Sequence, residues 1–126
     1  MPYEITIDPE RRVALVVGSG WNDYASSLAA MDELAGHADY RPGFGMFCDF
    51  RESEYTPGPA EARNLAEAWL TRFRGRPLVV VVSGLLHYGL GNMMASIISL
   101  RGVPVAVFRD VAEAEAWMEQ ATAASA

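Results

Sequence analysis

Asp49, Ser83 and His87 are the residue types of a hydrolytic relay, in which a histidine takes the serine proton and a carboxylate orients the histidine. They stand far apart in the chain, so only a fold could join them. The serine lacks the G-x-S-x-G elbow that presents a nucleophile, because Val81 and Val82 precede it. Asp49 with Glu52 or Glu54 offers a second chemistry, a carboxylate pair for acid–base work. No His or Lys stands beside that pair in the sequence. With two histidines and one cysteine, the chain offers neither a zinc site nor an internal disulfide. Cys48 lies in an apolar run and reads as an unreactive core thiol. No catalytic residue is therefore assigned, and a hydrolase using Asp49 and His87 is kept only as an outside alternative.

Glycine-rich segments suggest binding instead of bond breaking. GSG (18–20) would need a third glycine at position 23 to complete a dinucleotide fingerprint, but Asp23 stands there, so the segment reads as a turn. GLG (89–91) fails at Met94. The surrounding SGLLHYGLGN supplies backbone N–H groups at a helix start beside His87, where an anion or polar ligand could sit. Another candidate is the segment after the third strand, with Asp49, Arg51, Ser53, Tyr55 and Thr56 as a contact or phosphorylation loop. It does not suit a phosphate cradle. Pro57 and Pro59 remove N–H donors, and Glu52, Glu54 and Glu61 outweigh Arg51. Asp49 is expected to accept backbone N–H bonds in this loop.

A net charge of −6 leaves no basic face for DNA or RNA. Arg72, Arg74 and Arg76 gather where a helix ends and read as cations opposing its dipole. The start MPYEITID has no basic and apolar regions of a signal peptide, and runs such as LVVVV and MMASIISL are too short to span a bilayer. A cytoplasmic domain without cofactor or metal is the expectation.

Periodicity marks the elements that position these residues. YEITI (3–7), a DPERR turn and RVALVVGSG (12–20) predict a hairpin, with its second strand buried. Asn22 is the expected N-cap of a helix over 23–36, with Tyr24, Leu28, Met31 and Ala35 inward. FGMFCDF (44–50) is the third strand. A helix from Pro59 to Phe73 places Leu65, Ala66, Trp69, Leu70 and Phe73 on one stripe. PLVVVVSG (77–84) is a strand buried on both faces. A helix over 87–101 turns Leu90, Met93, Met94, Ile97 and Ile98 inward. VPVAVF (103–108) is the fifth strand, and Asp110 with Glu113 makes a capping box for the last helix. Trp21, Trp69 and Trp117 read as core or half-buried packing residues, and residues 120–126 as a frayed tail. The order β-β-α-β-α-β-α-β-α defines one α/β domain, a mixed five-stranded sheet with an N-terminal hairpin and right-handed crossovers.

This order resembles the STAS and SpoIIAA-like superfamily over residues 3–119. Two segments carry the likeness: MFCDF (46–50), a strand ending in Asp before a loop and helix, and VPVAVFRDVAEAEAWM (103–118). A divergent STAS/SEC14-like branch of unknown function is the nearer likeness. The resemblance implies a SpoIIAA-like fold. From the anti-sigma-factor antagonists of that superfamily it implies a partner kinase and a phosphorylated Ser in an Asp-Ser-Ser/Thr-Gly-type segment. The matching segment here reads RESEYTPGP and lacks that motif, with Ser53 and Thr56 as the hydroxyls in its place. Lipid-carrying relatives of the fold imply an apolar pocket.

The expectation is a non-enzymatic regulatory or binding domain that engages a protein partner through residues 51–58 and the exposed face of the second helix. The alternative is a small apolar ligand or lipid held between the second and third helices by Trp69, Phe73, His87, Met93 and Met94. A homodimer is compatible with either reading.

Overall fold

The computed structural model describes residues 3–73 and 75–124. Arg74 of the basic cluster and the end of the tail lie outside the described residues. The elements are β1 (Tyr3–Asp8), β2 (Val13–Gly20), α1 (Tyr24–Ala35), β3 (Gly45–Ser53), α2 (Pro59–Arg72), β4 (Leu78–Val81), α3 (Leu85–Ser99), β5 (Val105–Phe108) and α4 (Val111–Ala124). The order and the α/β class are those expected, and the tail is helical to Ala124 rather than frayed.

The sheet runs β1-β2-β3-β4-β5, with β1 antiparallel to β2 and the remaining neighbours parallel. Each crossover from β2 to β5 steps one strand in the same direction. Right-handed crossovers that all step the same way must place their helices on the same face. Accordingly α1, α2 and α3 share one core with Val16, Met46, Cys48 and Leu78, in which Leu34, Trp69, Phe73 and Ile98 are buried. α4 has no strand after it and folds onto the opposite face, where Ala114 and Met118 pack on Phe47, Val79 and Val81. Gly45 makes room for this helix, since a Cβ there would overlap Met118 Sδ. α4 covers β3, β4 and β5. The outer face of β2 is therefore not buried as expected, and Leu15 is partly exposed.

Several local expectations are corrected. Asp23, not Asn22, caps α1: its Oδ1 accepts from Ser26 N at 2.8 Å, and Ser26 Oγ accepts from Asp23 N at 2.9 Å. The inner stripe of α1 is shifted accordingly, with Ser27 and Leu34 buried and Ala35 exposed. α3 starts at Leu85, two residues early, so His87 sits within its first turn. GSG belongs to β2 and is not a turn. Trp21 is 75% exposed, whereas Trp69 is buried as expected. Asp110 Oδ1 accepts from the N–H groups of Ala112 and Glu113 at the start of α4, the N-cap half of the expected box. Arg72 donates to the Ala68 carbonyl in the last turn of α2, as a dipole-opposing cation would, and also to Asp32.

Met118 is the largest α4 side chain fully buried against the sheet. Met118→Ala is expected to lower unfolding stability by about 2–5 kcal/mol, read from urea midpoints at unchanged slope.

Candidate functional site

The site is shaped by one irregularity in β3. Pairing with β2 is regular from Val13↔Gly45 to Val17↔Asp49 and then resumes at Ser19↔Glu52 and Gly20↔Ser53. β3 therefore spends two residues, Phe50 and Arg51, where β2 spends Gly18 alone. An extra residue reverses the inside–outside alternation downstream. Cys48 and Phe50 face α1–α3, and simple alternation would turn Ser53 the other way. With the bulge Ser53 faces the same side as Cys48 and Phe50. Gly18 is needed at this point, since a Cβ would stand 2.9 Å from Phe50 Cδ1 and 3.0 Å from Tyr3 Cε1.

Between the sheet and the three helices lies an apolar cavity of about 160 Å³. Small residues create it. Ala30 on α1 and Gly91 and Ala95 on α3 face the valines of the sheet, and a Cβ on Gly91 would meet Val107 Cγ1 at 3.0 Å. Leu34, Phe73, Leu78 and Ile98 close the end beneath the N-terminal ends of β4 and β5. Ser53, Tyr55, Pro57 and His87 stand at the other end, above the strand C-termini. Trp69 forms part of the wall and donates its indole N–H to Met46 Sδ at 3.3 Å.

Hydrogen bonds at the polar end fix several protons. His87 Nε2 lies 3.0 Å from the Tyr55 carbonyl oxygen and 3.1 Å from Thr56 Oγ1. A carbonyl only accepts, so Nε2 carries a proton and donates to it. Nε2 is then unable to take the Thr56 proton, so this hydroxyl–imidazole contact is not a nucleophile–base pair. Tyr55 donates its phenol to Glu61 Oε1 at 2.6 Å, tying the loop to α2. Burial and this acidic partner both raise the Tyr55 pKa. Ser53 Oγ accepts from Asn22 Nδ2 at 3.1 Å and from Tyr55 N at 3.3 Å. Asn22, freed from capping, is 1% exposed, and its Oδ1 has no partner.

Asp49 lies elsewhere. It alternates with Cys48 and so projects to the α4 face of the sheet, while His87 borders the cavity on the α3 face. Arg51 engages both of its oxygens, Nε to Oδ1 at 2.9 Å and Nη2 to Oδ2 at 2.8 Å. Arg51 holds the Asp49 carboxyl below its ordinary value near 3.8, against the opposing effect of burial. The expected backbone capping is reduced to Arg51 N at 3.3 Å. Ser83 Oγ donates to the Arg51 carbonyl at 3.1 Å and not to His87. The three residues of the supposed relay are thus held apart, each with another partner. Burial pushes the Cys48 thiol up to about 12, which keeps it protonated. Among the described residues, no group of three His, Cys, Asp or Glu side chains stands close enough to hold a metal ion.

The expected ligand residues are partly united. Trp69, Phe73, His87 and Met94 line the cavity; Met93 does not. The stripe that faces the sheet is 87-90-91-94-95-98, and Met93 sits one helical step, ~100°, away from Met94. Of the expected loop, Arg51 and Ser53 are strand, Ser53 and Tyr55 reach the cavity, and Thr56 is exposed on His87. The sequence did not signal the contact of Asn22 with Ser53, because an Asn before a helix signals a cap and the bulge that brings Ser53 to it leaves little mark in composition. Among the described residues no helix is long and apolar enough to cross a membrane. Comparison with models of protein families, with curated proteins and with solved structures finds no match to this chain.

The Asp49–Arg51 pair carries a pH signature. A depressed folded pKa contributes stability above about 3.8 that is lost as pH falls through the lower folded value. Asp49→Asn is expected to lower stability at neutral pH and to flatten its fall below pH ~4. Urea unfolding at stepped pH reads the difference, and parallel curves would show that the pair contributes nothing.

Proposed function

We propose that the domain binds a small apolar ligand in the cavity between the sheet and α1–α3, without chemistry on it. The cavity itself carries this reading. An engineered cavity of about 150 Å³ in another protein stays dry and takes up benzene, and the space here is about 160 Å³. Its walls are almost wholly apolar, and a ligand of matching size would take that surface out of contact with water. The separation of Asp49, Ser83 and His87 supports a binding role over hydrolysis. The element order supports kinship with the STAS/SpoIIAA-like group, in which an apolar pocket is at home.

A second reading, contact with a protein partner, is favoured by exposed apolar side chains at the same end of the sheet. Trp21 after β2 is 75% exposed, and Leu85 and Leu86 after β4 are 74% and 63% exposed. Such a surface would replace the expected one on residues 51–58 and the outer face of α2, and would lie beside the cavity mouth.

Toluene at a hundred times its dissociation constant is expected to stabilise the protein by about 2.7 kcal/mol, seen as a raised melting temperature. Ala95→Phe fills the cavity and should abolish that rise while leaving a cooperative transition. An equal rise in this variant would place the binding elsewhere.

A further inference from the structure

We propose that the other face of the sheet carries a second binding site, for a zwitterion with an apolar body: an amino acid or short peptide with a free carboxylate and a free ammonium. This site does not depend on the reading of the apolar cavity. Between the β1–β2 hairpin and α4 lies a hollow of about 410 Å³, within the ~300–1,000 Å³ typical of small-molecule sites. It exists because α4 covers β3, β4 and β5, so the outer face of β2 looks into the gap beside it. The floor of the hollow is apolar. Val13 and Leu15 of β2, Phe47 of β3 and Met118 of α4 form it, and Leu15 is 37% exposed. The register puts Leu15 beside Phe47 and Val13 beside Gly45, which keeps these side chains on one face.

The rim is charged, with both signs. Arg11 and Arg12 border the hollow from the hairpin, with Glu10 beside them, and Glu115 and Glu119 border it from α4, one helical turn apart. Opposite charges thus share one hollow without being joined. The ion pairs of the described residues are Arg51–Asp49, Arg72–Asp32 and Arg101–Glu67. None of the five rim side chains makes a hydrogen bond to another described residue. Asp8 is occupied, since its Oδ1 accepts from the N–H groups of Glu10 and Arg11 and shapes the turn. The backbone adds a second observation. Arg12 holds φ 59°, a left-handed conformation that glycine adopts without strain and arginine does not. Glycine would serve the turn better, and what arginine adds is a guanidinium at the edge of the hollow. Gly43 leaves room for that group, since a Cβ there would stand 3.0 Å from Arg12 Nη2.

These charges select the ligand. A neutral apolar molecule would take the rim out of water and give nothing in exchange. A simple anion would meet Glu10, Glu115 and Glu119, and a simple cation would meet Arg11 and Arg12. Among the described residues no group of three carboxylates stands close enough to hold a metal ion. A zwitterion answers both signs. Its carboxylate takes the paired N–H donors of a guanidinium, its ammonium meets the α4 glutamates, and its apolar side chain lies on Leu15 and Phe47.

Titration of the full chain with leucyl-leucine, followed by backbone amide NMR shifts, tests this. Saturable shifts are expected within residues 6–15 and 115–123, with a Kd of about 1 mM or tighter. Leucyl-leucine amide lacks the carboxylate, and acetyl-leucyl-leucine lacks the ammonium. Each should bind about five- to tenfold more weakly, between the worth of an exposed ion pair and that of a charge-assisted hydrogen bond. Arg11→Gln with Arg12→Gln should weaken leucyl-leucine by the same factor yet leave the amide within about twofold. Glu115→Gln with Glu119→Gln should weaken leucyl-leucine yet leave the acetyl peptide within about twofold. Ala95→Phe, which fills the apolar cavity, should bind leucyl-leucine as the parent does. Absence of saturable shifts on this face, blocked peptides bound as tightly as the free one, charge variants that weaken all three peptides alike, or binding lost in Ala95→Phe would each overturn the site. The toluene result that tests the apolar cavity would stand in every case.

Discussion

One extra residue in β3, opposite Gly18, decides which side chains reach the cavity. Upstream of it, Cys48 and Phe50 face the helices while Asp49 faces α4. Downstream, the alternation is reversed and Ser53 joins the helix side. A bulge of this kind re-aims a side chain at the end of a sheet, where α/β proteins place their ligands. It also divides the polar residues into two groups. Asp49 and Arg51 neutralise each other on the outer face, and Ser53, Asn22, Tyr55 and His87 form a largely uncharged network over the apolar space. Without Gly18, Phe50 and Tyr3 could not pack against β2 where the bulge sits.

The handedness of the crossovers supplies the other half of the site. Three helices on one face make a layer broad enough to span the sheet, and the width of the gap beneath it is set by the side chains that face inward. Bulky residues would fill it. The inward positions instead include Ala30, Gly91 and Ala95 above a floor of valines. On the opposite face α4 packs closely where it crosses β3, and Met118 is drawn into contact with Gly45. That face has a hollow of its own, about 410 Å³ between the β1–β2 hairpin and α4, but Glu10, Arg11, Arg12, Glu115 and Glu119 line it, so it is charged where the other is apolar.

Much of this architecture was legible in the sequence. Alternation in YEITI, the unbroken LVVVV run and the stripe through Trp69 and Phe73 each required their element, since a period of two or of 3.6 residues is set by the burial it serves. The cavity wall was legible in part for the same reason: a stripe names the residues that face inward. It resolves a helix only to about one position, which is why Met93 was placed beside Met94 and the α1 stripe was shifted. The polar end was less accessible. A bulge changes pairing without changing hydrophobicity, and Asn22 and Asp23 are both good N-caps. The choice of Asp23 rests on Ser26 completing the reciprocal bonds, which leaves Asn22 free to turn inward. Trp21 was misjudged because an aromatic residue suggests a core position, whereas here it follows the end of a strand that the helical layer does not cover.

α3 shows what this arrangement does to a helix. Its sequence is the most apolar of the helices, yet Ile98 is its one fully buried residue. Its start lacks a side-chain cap, and Leu85 and Leu86 face outward. Gly91 has a packing reason in Val107, but a Cβ on Gly89 would meet nothing within 4 Å. A glycine in a helix interior costs about 1 kcal/mol relative to alanine, and at position 89 no contact offsets that cost. The first turns of α3 are therefore the least secured part of the cavity wall. The His87 bonds to Tyr55 and Thr56 tie them to the loop above β3. A ligand entering at that end would pass this loosely held wall, so the wall that would admit it and the loop above β3 are joined through one imidazole.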